Sequence, residues 1–132
     1  MQSRSAKKEY LVISRGQWDP GASKQEVQRA IDAFYVWLEG HAQLGRMKPG
    51  SRLTHEGKVV SRSSVRDGPF TEAKEVIGGF WFIVANSLEE AAALAAENPC
   101  LAFGLSYEIR PLEAERAVAT AVTNETPPAW RG

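Results

Sequence analysis

The hydrophobic pattern changes period several times along the chain, and each change marks an element. Tyr10-Leu11-Val12-Ile13 is a continuous apolar run behind a polar start. It predicts a buried strand, closed by Gly16 and the turn signal Asp19-Pro20-Gly21. Ser23 followed by Glu26 is a capping box, in which each side chain satisfies an orphan N–H of a helix start. Behind it Val27, Ile31, Phe34 and Leu38 recur at helical spacing, which predicts a long amphipathic helix ending near Gly45. Arg52-Leu53-Thr54-His55 and Lys58-Val59-Val60-Ser61-Arg62 flank Glu56-Gly57 and predict a hairpin with a short turn. Its strands are polar, which suits a sheet edge or a solvated face.

Asp67-Gly68-Pro69-Phe70 breaks the pattern again, and Val76 to Ala85 follows, interrupted by Gly78-Gly79. Phe80-Trp81-Phe82-Ile83-Val84 is apolar at every position, so both faces of this strand are expected to be covered. Two glycines weaken a strand, so they need a reason: a bulge, or the close approach of a backbone or ligand. The bulge is the preferred reading. Ser87 with Glu90 repeats the capping box, and Leu88, Ala91, Ala92 and Ala95 predict a small-residue helix stopped by Asn98-Pro99. Leu105, Tyr107 and Ile109 alternate with polar residues in a last strand ending at Pro111. Glu113 to Val122 is expected to form a weak Ala-rich helix, and Asn124 to Gly132 a mobile tail. The expected organisation is a short extension over 1–8, a domain over 9–112 and an appendage over 113–132.

Two helices cover one face of a sheet. The doubly apolar Phe80–Val84 strand therefore needs a partner on its other face, and the simplest is the same sheet of a second copy. The predicted class is α+β: a ferredoxin-like βαββαβ sheet with helices on one face, paired into a homodimer.

Composition narrows the function classes. The 132 residues suit one domain. Lys plus Arg is 16 and Asp plus Glu is 16, so the formal net charge is zero. Direct nucleic-acid binding needs a basic excess and is not expected, while self-association meets little repulsion. The single Cys100 forms no internal disulfide, and His41 and His55 are too few and too far apart for a metal site. Met1 to Lys8 is polar and basic with no apolar stretch behind it, and the longest apolar run is too short to span a bilayer. A cytoplasmic protein without membrane partners is expected. Gly-rich phosphate loops and Ser–His–Asp arrangements are absent, and no cofactor is implied.

The segment Asp67-Gly68-Pro69-Phe70-Thr71-Glu72-Ala73-Lys74-Glu75-Val76-Ile77-Gly78-Gly79-Phe80-Trp81 resembles, nearly word for word, the signature of the DGPF branch of the YCII-related proteins. Ser87-Leu88-Glu89-Glu90-Ala91, Asn98-Pro99 and Glu108-Ile109-Arg110-Pro111 fall where that family has its second helix, proline stop and last strand. The resemblance covers Glu9 to Leu112. It implies a dimeric α+β barrel of ferredoxin-like subunits and little about activity. Some members are encoded beside, or fused to, extracytoplasmic-function sigma factors, which implies a regulatory association. Some relatives carry a His–Asp pair in a pocket, with the His on the first helix. Matching the helix ends places that position near Phe34, which takes and gives no proton, and His41 lies two turns further on.

The candidate chemistry gathers on the loop after the hairpin. Asp67-Gly68-Pro69 is stiff by its own turn chemistry. Asp67 reads either as a turn cap or as an acid aimed into a cleft. Glu72 and Lys74 share one face of an extended segment beside Phe70, where they either relay a proton or lock the loop as a salt bridge. The candidate catalytic pair is Asp67 and Glu72. Phe70 and Lys74 are candidate ligand contacts, with Trp18 and His41 as outer members. Trp18 follows the first strand, where a tryptophan often rims a pocket or interface. Cys100 follows a helix-stopping proline and reads as a buried filler rather than a nucleophile. Two functions follow. One is a dimeric ligand-binding or regulatory module. The other is a small cofactor-free enzyme using loop carboxylates.

Overall fold

A computed structural model describes residues 7–68 and 76–131. The elements are β1 (Lys8–Arg15), α1 (Lys24–Gln43), β2 (Met47–Arg52), β3 (Lys58–Val60), β4 (Val65–Asp67), β5 (Ile77–Ala85), α2 (Leu88–Ala95), a 3₁₀ turn (Pro99–Phe103), β6 (Ser106–Pro111) and a second 3₁₀ turn (Pro128–Trp130). Four strands form an antiparallel sheet in the order β2-β5-β1-β6, and β3 pairs with β4 in a separate hairpin. Setting that hairpin aside, the remaining chain runs βαββαβ with the second half interleaved into the first. This order is compatible with a ferredoxin-like fold.

Period two in β1 and β5 sorts the sheet into two faces. Tyr10, Val12 and Ser14 of β1 and Trp81, Ile83 and Ala85 of β5 are buried, together with Met47 of β2. They form the core with Leu38 of α1 and Ala91 and Ala95 of α2. The intervening residues Leu11, Ile13, Phe80, Phe82 and Val84 are half-buried on the opposite face. Both helices therefore lie on one side.

The helix starts follow the sequence. Ser23 Oγ accepts from the Glu26 N–H at 3.0 Å, and Glu26 returns a bond to the Ser23 N–H at 2.9 Å. These bonds to Ser23 hold the Glu26 carboxyl below its usual pKa. Ser87 caps α2 through the Glu90 N–H at 3.1 Å, but Glu90 reaches back to the Asn86 N–H instead. The α1 stripe buries Ala30 and Leu38 and half-buries Val27, Ile31, Phe34 and Trp37.

The expected bulge at the paired glycines is present. Ser14 faces Gly79 and Arg15 faces Ile77, so Gly78 is the extra residue. A second irregularity lies in β2, where Lys48 faces Phe82 and Ser51 faces Phe80. Pro49 and Gly50 are accommodated there because β2 is an edge strand, whose missing N–H faces no partner.

Two expectations need correction. The hairpin is not built on Arg52–His55. Arg52 belongs to β2, and the Leu53 N–H still bonds the Gly78 carbonyl at 2.9 Å. The first hairpin arm is instead Lys58–Val60, and the turn is Ser61 to Ser64, closed by Ser61 N–H to the Ser64 carbonyl at 2.8 Å. Serine hydroxyls support this turn locally, a weaker signal than the Glu56-Gly57 pair. Asp67 is the last residue of β4, opposite Lys58 of β3. The second correction concerns Glu113–Val122, which is not helical. Past β6 the hydrogen bonds of the described tail close on the tail itself, such as Arg131 Nη2 to the Thr123 carbonyl at 3.1 Å. Val118, Val122 and Trp130 are exposed.

A Cβ at Gly50 would lie 2.0 Å from the Phe80 carbonyl oxygen, a backbone atom that cannot swing away. Gly50→Ala is expected to lower unfolding free energy by about 2 kcal/mol or more in urea titrations. Gly21→Ala, with nothing within 4 Å, is the control and should stay within about 0.5 kcal/mol. Truncation after Glu113 should leave the thermal midpoint of the domain within about 2 °C of the full chain, because the tail buries no large apolar side chain in it. A larger drop would show that the tail supports the fold.

Candidate functional site

One cavity of about 290 Å³ opens between α1 and the sheet. Its wall on α1 is Ile31, Phe34, Tyr35 and Leu38, three of them from the helical stripe. Its floor is the helix face of the sheet: Ser14, Gly79, Trp81 and Tyr107. Ser14 and Tyr107 are cross-strand partners, so the register of β1 on β6 alone brings their side chains together. Trp81 packs edge-to-face on Phe34 with centroids 5.2 Å apart and on Tyr107 at 5.3 Å. This chain of rings joins α1, β5 and β6.

The inner end of the cavity is polar. Asn98 caps the 3₁₀ turn by accepting the Cys100 N–H at 2.8 Å, which turns Cys100 inward. Cys100 Sγ lies 3.7 Å from the Ala30 carbonyl as a weak donor, tying the turn to α1. The Tyr107 hydroxyl sits among Cys100, Ser14 and Asn98. Burial, then the nearby Cys100, pushes its pKa well above the ordinary tyrosine value. Burial also raises the Cys100 thiol, with Tyr107 and Arg52 opposing. Both groups are therefore neutral hydrogen-bonding groups at pH 7, and Cys100 is a poor nucleophile.

Arg52 stands at the mouth. It faces Gly79 across the β2–β5 ladder, on the helix side. A Cβ at Gly78 would lie 3.2 Å from its Nη1 and 3.4 Å from Ser14 Oγ. The bare bulge residue thus makes the shelf over which the guanidinium lies. Trp18 forms the rim, and its loop is held from the 3₁₀ turn: the Asp19 N–H donates to the Phe103 carbonyl at 2.8 Å. Gly104 fits only as glycine, with φ +106° and Asp19 Oδ1 2.6 Å from where its Cβ would be.

The residues singled out in the sequence are scattered by the fold. Trp18 lines the cavity. Phe34, matched to the relatives' histidine, lines it too and supplies an apolar wall. His41 is further along α1, edge-on to Trp37 at 5.7 Å, with Nε2 4.0 Å from Glu97 Oε1. Asp67 is exposed at the end of β4 and pairs with Lys58 across the hairpin. Phe70, Glu72 and Lys74 lie outside the described residues. Sequence reasoning missed Ser14, Arg52 and Tyr107. The signal for two of them was available: Ser14 and Tyr107 are the polar members of otherwise apolar inward-facing rows. No group of three or more metal-ligating side chains is found among the described residues.

An unfolded tyrosine ionises near pH ~10. Folded Tyr107 keeps its proton above that. Above pH ~10 the unfolded chain therefore binds fewer protons than the folded one, and stability falls as pH rises. Tyr107→Phe removes this contribution. Its unfolding free energy should fall less steeply than wild type from about pH 10 upward in urea titrations. Parallel slopes would show that the hydroxyl titrates freely.

The YCII-related domain model matches residues 9–113, from the strand that opens the sheet to just past the strand that closes it. An uncharacterised protein of Rhizobium meliloti (strain 1021) is 34% identical over 100 residues, which is 68% of this chain and 78% of that relative. The match spans the elements that build the cavity, and the βαββαβ order agrees with the family's expected fold. On both grounds the chain belongs to the YCII-related domain family.

Proposed function

We propose that the protein is a small-molecule-binding module that works as a homodimer, in the DGPF branch of its family. The observation that carries the dimer is the open face of the sheet. Leu11, Ile13, Phe80, Phe82 and Val84 form its apolar centre, with Phe80 and Phe82 edge-to-face at 6.0 Å. Ion pairs border it. On one side Glu108 binds Arg15 at 2.6 Å and Arg110 at 3.0 Å, and these bonds lower its pKa. On the other side Lys48 pairs with Glu9. An apolar centre inside a polar rim is the layout of a protein interface. The same patch on a second copy is self-complementary about a two-fold axis, and joining two such sheets gives a dimeric α+β barrel.

The cavity supports binding over turnover. Its polar side-chain groups are neutral hydroxyls, indole N–H groups, a thiol and one guanidinium, and none of its described lining residues is a carboxylate. Acid–base catalysis by Asp67 and Glu72 would require the loop carboxylates to reach an enclosed cleft, and Asp67 stands in solvent against Lys58. A regulatory role beside a sigma factor is compatible with a ligand-sensing dimer.

Sedimentation equilibrium at micromolar concentration should return twice the chain mass of 14.5 kDa. Phe82→Glu places a charge in the centre of the open face without touching the helix-side core, and should give a folded monomer. A wild-type protein that stays monomeric with a folded sheet would overturn the dimer.

A further inference from the structure

The chemistry of the cavity narrows what it holds. Its walls are aromatic and aliphatic, its size lies near the lower end for small-molecule sites, and one cation stands at its mouth. No hydrogen bond or ion pair joins the Arg52 guanidinium to another described residue. The arginines of the open face, by contrast, are held by Glu108. A second group is also unsatisfied. Trp81 lines the cavity, is 4% exposed, and its Nε1–H has no acceptor among the described residues. A buried donor left unpaired is destabilising, and an acceptor on a bound molecule relieves it.

We propose that the cavity binds a small flat aromatic carboxylate carrying a further hydrogen-bond acceptor. The inference rests on reading the cavity as a ligand site and adds the class of ligand. The ring lies among Phe34, Trp81 and Tyr107, whose edge-to-face stacking offers flat apolar surfaces. The carboxylate meets Arg52, because a guanidinium presents paired N–H donors that match two carboxylate oxygens. The acceptor on the ring takes the Trp81 N–H. A cationic ligand is disfavoured, since Arg52 repels it and no described lining residue carries a negative charge. A neutral ligand leaves the guanidinium unpaired.

Isothermal titration calorimetry with 6-hydroxy-2-naphthoate and its uncharged amide tests this in the full-length protein. The acid should bind about tenfold tighter than the amide, the usual worth of one charged hydrogen-bond pair. Arg52→Gln, at an exposed position where folding is not at stake, should weaken the acid about tenfold and leave the amide unchanged. Trp81→Phe keeps an aromatic ring at this position but removes the N–H donor, and should weaken both. Equal affinity for acid and amide, or an acid indifferent to Arg52→Gln, would overturn the carboxylate assignment while leaving the cavity a site for neutral molecules. If neither compound binds at millimolar concentration, the ligand reading of the cavity fails with it.

Discussion

Everything in this molecule turns on the fact that β5 is paired on both edges and apolar on both faces. It lies between β1 and β2, so its backbone has no free edge. Trp81, Ile83 and Ala85 are buried under the helices, while Phe80, Phe82 and Val84 stand half-buried on the side without helices. An amphipathic strand would have left that second face polar. A strand apolar on both sides gives the chain one finished core and one unfinished surface. The charged residues of β1, β2 and β6 keep that surface soluble at its margins without filling its centre.

The cavity arises from the same strand by a different route. The bulge at Gly78 and the bend of β2 at Pro49–Gly50 lie in paired strands on the same stretch of sheet. Side chains there would fill the space between Arg52 and Ser14 or drive β2 off β5. The glycines are thus a packing requirement and a hollow at once. Trp81 supplies the hollow's floor while it anchors α1 through Phe34 and β6 through Tyr107, so stability and the candidate site share one side chain.

Local chemistry was the legible part of the sequence. The Ser23–Glu26 box and the Val27–Leu38 stripe placed α1, since each signal is complete within a few residues. The Gly78 bulge was legible because glycine inside a strand has few other uses. The β3–β4 hairpin was misplaced because its arms carry no alternation and its turn is held by serines rather than by a glycine pair. β2 went unread because Pro49 and Gly50 look like punctuation unless the strand is known to be an edge. The site was the least legible. Ser14, Arg52, Trp81 and Tyr107 come from four strands and meet only through sheet register, which no local window encodes. Trp18 was found because a tryptophan on a loop often rims a pocket. What holds its loop is the Asp19 N–H bond to the Phe103 carbonyl, beside a Gly104 that leaves room for Asp19, far along the chain.

That last contact has an evolutionary consequence. The loop carrying Trp18 and the turn carrying Cys100 are fastened by one backbone hydrogen bond and one glycine too crowded to bear a side chain. Residues 17–19 and residue 104 therefore form a single unit of inheritance: a lengthened loop, or any side chain at 104, displaces the rim of the cavity from its inner end. Ile31, Tyr35 and Leu105 border the same space but are not part of that fastening. A descendant that changed its loop would have to rebuild its turn in the same step.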